Sequence, residues 1–179
     1  EGILYIYTTL SSLARTLLMP KQIFSPILVP FIHDAFLNKD KKINVNFLSS
    51  IAKYGTLFSS IIFLIYLLSF DFGFNYYGFD NDLYNVAYLI LIILCLSNIL
   101  TVFFGYPGLC LIVLNEEKAV FKIASFCLLL FLIMLLFSSN YFETAGVVIS
   151  VLIFDLSKNL LYTKYLYNTY NVKLIGKIF

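Results

Sequence analysis

Charged residues are scarce in this sequence. Asp, Glu, Lys and Arg make up 12% of the chain, and the mean hydropathy is +0.91, whereas a soluble domain carries about 25% charged residues. The charges that are present cluster between apolar runs, several of which reach the roughly 20 residues needed to cross a bilayer. This composition excludes an ordinary soluble domain and predicts an integral membrane protein.

Residues that bind metals or carry out catalysis are also rare. The chain has one histidine, His33, and its three cysteines, Cys95, Cys110 and Cys127, show no C-x-x-C spacing. A zinc site needs several such ligands at suitable spacing, and no P-loop, G-x-G-x-x-G or G-x-S-x-G motif is present. We therefore expect no enzymatic activity, metal or cofactor, and we expect buried, inert thiols. The juxtamembrane lysines point to lipid headgroups and not to nucleic acid.

Long apolar runs are abundant, and they predict an all-α integral membrane protein: a five-helix transmembrane bundle in a single domain. The first run is unusual, because residues 2–32 as one straight helix would extend about 46 Å and the hydrocarbon core is about 30 Å thick. Pro20 predicts a kink in this run, and Gly105–Gly108 predicts a kink or an unwound turn in the third run. The predicted spans are residues 2–32, 47–70, 83–114, 119–137 and 145–162.

The distribution of lysine predicts how these spans are oriented. The second-to-third and fourth-to-fifth loops contain Asp71, Asp80, Asp82 and Glu143 but neither Lys nor Arg. Loops rich in Lys and Arg are typical of the cytoplasmic side. We therefore expect the first span to start outside and the C-terminal tail to lie in the cytoplasm. The lysines of the other loops and the tail are Lys39, Lys41, Lys42, Lys118, Lys122, Lys164, Lys173 and Lys177.

The first span has a polar face and an apolar face. On a helical wheel, the polar face contains Thr8, Ser12, Arg15 and Gln22, and the apolar face contains Ile6, Leu10, Leu13 and Leu17. We expect the polar face to line the bundle interior or an aqueous cavity, and the apolar face to meet lipid. An unpaired charge at the depth of Arg15 costs about 2.5 kcal/mol or more. Arg15 therefore either pairs within the bundle or holds an anionic headgroup. Lys21 is expected to snorkel to the cytoplasmic face.

Two further intramembrane polar residues have alternative interpretations. Asp155 can pair with Lys158, which lies three residues later, or it can serve Arg15 or a coupling ion. Asn98 can link two helices by a hydrogen bond or contribute to a cavity. The candidate substrate-binding residues are Arg15, Ser12, Thr8, Gln22, Asp155 and Asn98.

Taken in order, these features resemble the C-terminal lobe of the polysaccharide or O-antigen flippases in the multidrug/oligosaccharidyl-lipid/polysaccharide exporter superfamily. One departure is that Phe142 follows Tyr141, where the family usually has a Tyr-Gly pair. The similar stretches are Gly2-Ile-Leu-Tyr with the run to Pro30-Phe31-Ile32, Phe74 to Leu94, Gly105 to Lys118, and Tyr141 with Gly146-Val-Val-Ile-Ser150.

The resemblance implies a partial lobe of a two-lobe transporter, so we expect a fragment that lacks an N-terminal lobe. It implies a flippase that moves undecaprenyl-diphosphate-linked oligosaccharide across the bacterial cytoplasmic membrane for O-antigen or capsule synthesis. The implied partners are the lipid-linked oligosaccharide, membrane lipids and the missing lobe. Arg15 with Ser12 and Thr8 would bind the diphosphate or an acidic sugar.

Three alternatives stay open. The first is an ion-coupled multidrug-type exporter of the same superfamily, with Asp155 as the coupling carboxylate. The second is a membrane enzyme such as a glycan polymerase, which the short outer loop Asp71–Asp82, without Lys or Arg, disfavours. The third is a bundle subunit that transports nothing, for which Arg15 would need only a helix partner.

Overall fold

The computed structural model of the chain describes residues 2–37, 41–77 and 83–170, and every regular element in these ranges is helical. The predicted all-α class is therefore confirmed. The predicted loop and tail residues Lys39, Asp80, Asp82, Lys173 and Lys177 lie outside the described residues. The helices are α1 Gly2–Arg15, α2 Met19–Leu37, α3 Lys41–Leu68, α4 Phe70–Tyr76, α5 Tyr84–Phe103, α6 Pro107–Val113 and α7 Glu117–Tyr170.

Within the described ranges, four helical stretches are long and apolar enough to cross a membrane, and not the five that we predicted. They are Asn46–Leu68, Tyr84–Phe103, Glu117–Ser138 and Ala145–Tyr170. The remaining run, residues 2–32, is divided by a 3₁₀ turn at Thr16–Leu18, just before Pro20. Proline has no N–H to donate and its ring crowds the preceding turn, so the helix tightens into a 3₁₀ turn where the sequence predicts a kink.

The interrupted α1–α2 segment nevertheless runs antiparallel to α3. Near its start, Ile6 packs in the same cluster as Phe74, which lies just beyond the C-terminal end of α3. Near its end, Ile32 packs in the same cluster as Leu48, at the beginning of α3. The segment thus extends along the bundle as two helices joined by a tight turn.

The third predicted span also contains the predicted break. The helix α5 ends at Phe103, and α6 begins at Pro107. Between them Gly105 has φ +71°, a left-handed conformation that glycine adopts without steric cost. Proline is favoured in the first turn of a helix because its missing N–H would have no helical partner there. The unwinding predicted from Gly105–Gly108 is confirmed.

The long helix α7 folds back on itself. The hydroxyl oxygens of Ser138 and Ser150 lie 2.9 Å apart, although residues with that separation lie about 18 Å apart along a straight helix. The ring centroids of Phe131 and Phe154 are 5.6 Å apart. The chain therefore reverses between Ser138 and Ala145, with a first arm at Glu117–Ser138 and a second arm at Ala145–Tyr170. The chain thus reverses where the sequence predicts the loop at residues 138–144, although the backbone of that stretch is helical and not irregular.

The described residues form two apolar core clusters, one toward each end of the bundle. Cys95 belongs to the first and Cys110 to the second, and Cys127 is also buried. All three thiols are free, and the predicted burial of the cysteines is confirmed. The first cluster includes Ile6, Leu10, Ala14, Leu17, Ile90, Leu94 and Val148, and the second includes Leu28, Ile32, Leu48, Tyr106, Leu111, Tyr162 and Leu166.

The two ends of the bundle differ in chemistry. At the aromatic end, the ring centroid of Tyr84 lies 5.2 Å from that of Phe70 and 5.1 Å from that of Phe74. Phe70 and Phe74 belong to α4, so the predicted outer loop begins with a short helix. At the lysine end, Lys118 and Lys122 are exposed. This segregation has the pattern that the positive-inside rule requires, and the assignment of the lysine end to the cytoplasm stays a prediction.

The turn between α6 and α7 contains a left-handed residue that is not glycine. Asn115 has φ 60°, its N–H bonds to the carbonyl of Ile112, and the N–H of Glu116 bonds to the carbonyl of Leu111. These two bonds define a Schellman motif, in which the left-handed position favours glycine and next asparagine. The motif ends α6 and sets the direction in which the first arm of α7 begins.

Asn115→Gly is expected to keep or raise the thermal midpoint of unfolding in detergent. Asn115→Val is expected to lower the free energy of unfolding by about 1–2 kcal/mol, because a β-branched residue is strained in the left-handed region. Circular dichroism at 222 nm would measure both. Asn85, exposed in the first turn of α5, supplies the control, because Asn85→Gly lies in a helix and should not stabilise. Equal effects of glycine and valine at position 115 would contradict the motif's importance.

Candidate functional site

The predicted polar face of the first segment lies on the surface of the bundle. Thr8, Ser12, Arg15 and Gln22 are all exposed. The hydroxyl of Thr8 donates to the carbonyl of Tyr5, and that of Ser12 donates to the carbonyl of Thr8, at 2.9 Å each. The hydroxyl donors are therefore used within the helix, and the exposed hydroxyl oxygens can still accept hydrogen bonds.

The apolar face of α1 has the opposite location from the one we predicted. Ile6, Leu10 and Leu17 are buried in the first apolar cluster, and Leu13 packs against it, so this face does not meet lipid. The small side chain of Ala14, 1% exposed, lies on the same buried face. Small residues allow helices in a membrane to approach closely, and the apolar face consequently packs against α5.

Arg15 is the last residue of α1 and lies on the exposed side of that helix. It forms no ion pair or hydrogen bond with the part of the chain that the structure describes. The alternative in which Arg15 pairs with Asp155 inside this bundle therefore has no support. Its guanidinium presents a planar set of N–H donors that fits carboxylate or phosphate oxygens.

Polar side chains from α3 and α5 bind the backbone at the break after α1. Asn98 Nδ2 donates to the carbonyl of Ala14 at 2.8 Å, and Ser59 Oγ donates to the carbonyl of Leu17 at 2.7 Å. Backbone carbonyls freed by a break need partners when they are buried in a membrane. Asn98 thus links two helices, which was one of its two predicted roles, and it does not join the polar face of Arg15.

Lys21 does not snorkel toward a bundle end, contrary to our prediction. Its Nζ donates to the carbonyl of Thr101 at 3.1 Å and lies 5.9 Å from the centroid of the Tyr106 ring. Lys21 points into the bundle because it follows the buried Leu17 by four residues and therefore lies on the same helical face. The ammonium group therefore enters the bundle between the two apolar clusters.

Asp155 binds locally and also bridges to α5. One carboxylate oxygen forms an ion pair with Lys158 Nζ at 3.1 Å, and the other accepts from Ser97 Oγ at 3.1 Å. Lys158 Nζ also lies 4.6 Å from the centroid of the Phe154 ring, where the negative face of the ring attracts a cation. The predicted pairing of Asp155 with Lys158 is therefore observed.

These residues form a polar layer between the two apolar clusters. Lys21 comes from α2, Ser97 and Thr101 from α5, and Asp155, Lys158 and Asn159 from the second arm of α7. Lys21 lies near enough to Lys158 and Asp155 for both charges to act on it, while the ion pair of Asp155 is with Lys158. The side chains of Lys158 and Asp155 are 27% and 24% exposed. No side-chain nitrogen or oxygen buried in the described part of the chain lacks a hydrogen-bond partner.

Sequence reasoning missed Lys21 and Ser97 as members of this layer, whereas Thr101, like Asn98, was expected to contact another helix, as it does. A signal for Lys21 was present, because Ile6, Leu10, Leu17 and Lys21 share one helical face. This pattern would have placed Lys21 inside the bundle only if that face were already known to pack against other helices. Ser97 and Thr101 lie within three residues of Asn98 on α5, but their partners lie 58 to 80 residues away in the chain. No local pattern identifies such partners.

Comparisons of this chain with protein-family models, curated proteins and solved structures find no match. Among the residues described, no three His, Cys, Asp or Glu side chains are grouped so that they could hold a metal ion. Two features of the described residues are available for a function: the exposed Arg15 face and the partly buried polar layer.

Proposed function

We propose that this chain forms part of a membrane transporter that flips an anionic, lipid-linked substrate, namely an undecaprenyl-diphosphate-linked oligosaccharide for surface polysaccharide synthesis. The substrate class comes from the resemblance of the sequence to polysaccharide flippases. The observation that supports the proposal is that Arg15 is exposed and has no partner among the described residues, on a helix whose opposite face is buried. The proposed location is the bacterial cytoplasmic membrane, with the C-terminal tail in the cytoplasm.

The energetics of an exposed arginine favour a cavity over lipid as its environment. A guanidinium that faces hydrocarbon near mid-bilayer costs about 2.5 kcal/mol or more. The cost falls if the polar face faces water that a second helical bundle encloses. This face contains Thr8, Ser12, Arg15 and Gln22. In the proposed transporter this second bundle is the N-terminal lobe, and the exposed face of α1 forms one wall of the substrate path.

The same face has suitable chemistry for a diphosphate. Arg15 can donate two parallel N–H bonds to phosphate oxygens, and the Gln22 amide can donate further hydrogen bonds to phosphate or sugar oxygens. The break at Thr16–Leu18 lies directly after Arg15, and the break between α5 and α6 contains Gly105. In the proposed mechanism these two interruptions let parts of the lobe change their angle while the substrate crosses.

The test is substitution of Arg15 in the full-length protein, in a bacterial host that depends on it for surface glycan. Arg15→Ala is expected to lower surface glycan about ten-fold or more, because the charge-assisted hydrogen bonds to phosphate are lost. Arg15→Lys should restore part of the signal, since it keeps the charge but not the planar fork. Lys53→Ala removes another exposed cation from a span and serves as the control. Normal glycan from Arg15→Ala at matched protein abundance would exclude the substrate role.

One observation favours a second candidate, an ion-coupled multidrug-type exporter. Asp155 is a carboxylate within a membrane-spanning stretch of helix and forms an ion pair with Lys158, and intramembrane carboxylates are used to couple ions to transport. Deletion of the gene would then cause drug sensitivity with normal surface glycan. A bundle subunit that transports nothing would show neither effect.

A further inference from the structure

A concave pocket lies at the lysine end of the bundle, away from both the Arg15 face and the polar layer. It has a volume of about 290 Å³, near the lower limit of the range for small-molecule sites. Its walls come from the start of the first arm of α7, the turn before it, and the second arm. The lining residues are Glu116, Lys118, Ala119, Lys122, Ile123 and Tyr165.

The lining of this pocket carries two cations, Lys118 and Lys122, against one carboxylate, Glu116. The carboxylate of Glu116 accepts hydrogen bonds from Tyr170 at 2.9 Å and from Tyr165 at 3.2 Å. Lys118 and Lys122 lie four residues apart on one helical face, are exposed, and form no ion pair with the described residues. The lining therefore presents two available cations and one carboxylate held by tyrosine hydroxyls.

The surface next to the pocket is apolar and uncovered. The first arm of α7 has only 6% of its span buried within the bundle. Phe121, one residue before Lys122, is 73% exposed, and Phe126 is 56% exposed. A ligand bound by Lys118 and Lys122 would thus continue onto a helix surface suited to hydrocarbon chains.

We infer that this pocket binds the phosphate headgroup of an anionic membrane lipid, whose acyl chains lie along the first arm of α7. The two lysines supply the electrostatic attraction that basic juxtamembrane residues have for anionic lipids. The exposed phenylalanines supply the apolar contact. This inference is independent of the proposed flippase function, since it concerns a different face of the bundle.

Native mass spectrometry of the purified full-length protein would test the inference, with phosphatidylglycerol, phosphatidylcholine and inorganic phosphate as probes. Each lysine near an anionic headgroup contributes roughly a five-fold factor. The double variant Lys118→Gln/Lys122→Gln is therefore expected to bind phosphatidylglycerol about 25-fold more weakly. Lys53→Gln/Lys164→Gln removes the same charge from exposed positions outside the pocket and should change affinity less than about two-fold.

A variant that is expected to strengthen lipid binding separates the loss of a binding site from a loss of folding. Glu116→Gln removes the negative charge while keeping one amide oxygen as acceptor for a tyrosine hydroxyl, and it should tighten phosphatidylglycerol binding several-fold. Equal binding of phosphatidylcholine would overturn the headgroup assignment, and so would equal losses in the pocket and control variants. Binding of inorganic phosphate as tightly as of the lipid would overturn the role of the acyl chains.

Discussion

Asp155→Ala is expected to destabilise the bundle by about 1–3 kcal/mol, and a second substitution, Lys158→Met, is expected to recover much of that loss. Removing one partner of a fully buried ion pair costs about 3–5 kcal/mol, because the remaining charge is left uncompensated. The smaller range applies here because Asp155 and Lys158 are each about a quarter exposed. Without the carboxylate, Lys158 and Lys21 would repel each other, and Ser97 would lose its acceptor.

A double-mutant cycle measures this effect directly. Unfolding of the wild type, Asp155→Ala, Lys158→Met and the double variant would be followed by circular dichroism during titration with denaturing detergent. We expect a coupling free energy above about 1 kcal/mol between the two positions. Lys164→Met, an exposed lysine on the same arm of α7, should show almost no coupling to Asp155→Ala. Additive effects at Asp155 and Lys158 would mean that the polar layer contributes little to stability.

Gly146→Ala is expected to open the α7 hairpin and to cost about 1–3 kcal/mol, with a larger loss for Gly146→Val. A Cβ atom at this position would lie 2.5 Å from the carbonyl oxygen of Ser138 and 2.8 Å from its carbonyl carbon. These atoms belong to the backbone, so no side-chain rotation relieves the clash, and overpacking of this kind typically costs 1–3 kcal/mol. The two arms can approach at this point only because residue 146 lacks a side chain.

A cross-linking measurement can report the hairpin itself. In a background without the three native cysteines, Ser138→Cys with Ser150→Cys should form a disulfide, since the two hydroxyl oxygens lie 2.9 Å apart. Adding Gly146→Val should abolish that cross-link. Gly73→Ala is the matched control, because a Cβ there would meet no atom within 4 Å and alanine is favoured over glycine within a helix. Efficient cross-linking in the Gly146→Val variant would show that the arms do not depend on this close approach.

The sequence by itself determined the class of protein and the points where helices break. Hydropathy was sufficient for the spans in α3, α5 and α7, because the bilayer requires long apolar helices whatever their neighbours are. The breaks near Pro20 and Gly105 were likewise predictable, since they follow from the missing proline N–H and the left-handed freedom of glycine. These properties belong to individual residues and their nearest neighbours.

The tertiary structure alone decided which face of α1 is packed, where Lys21 points and how α7 reverses. In a membrane the lipid and the protein core are equally apolar, so an apolar face such as that of Ile6 and Leu17 fits either environment. Hydropathy cannot choose between them. The choice depends on the close fit of Ala14 against α5 and on the hydrogen bond from Asn98 to the carbonyl of Ala14, a contact across 84 residues. Once that face is buried, Lys21 enters the bundle and the polar layer forms.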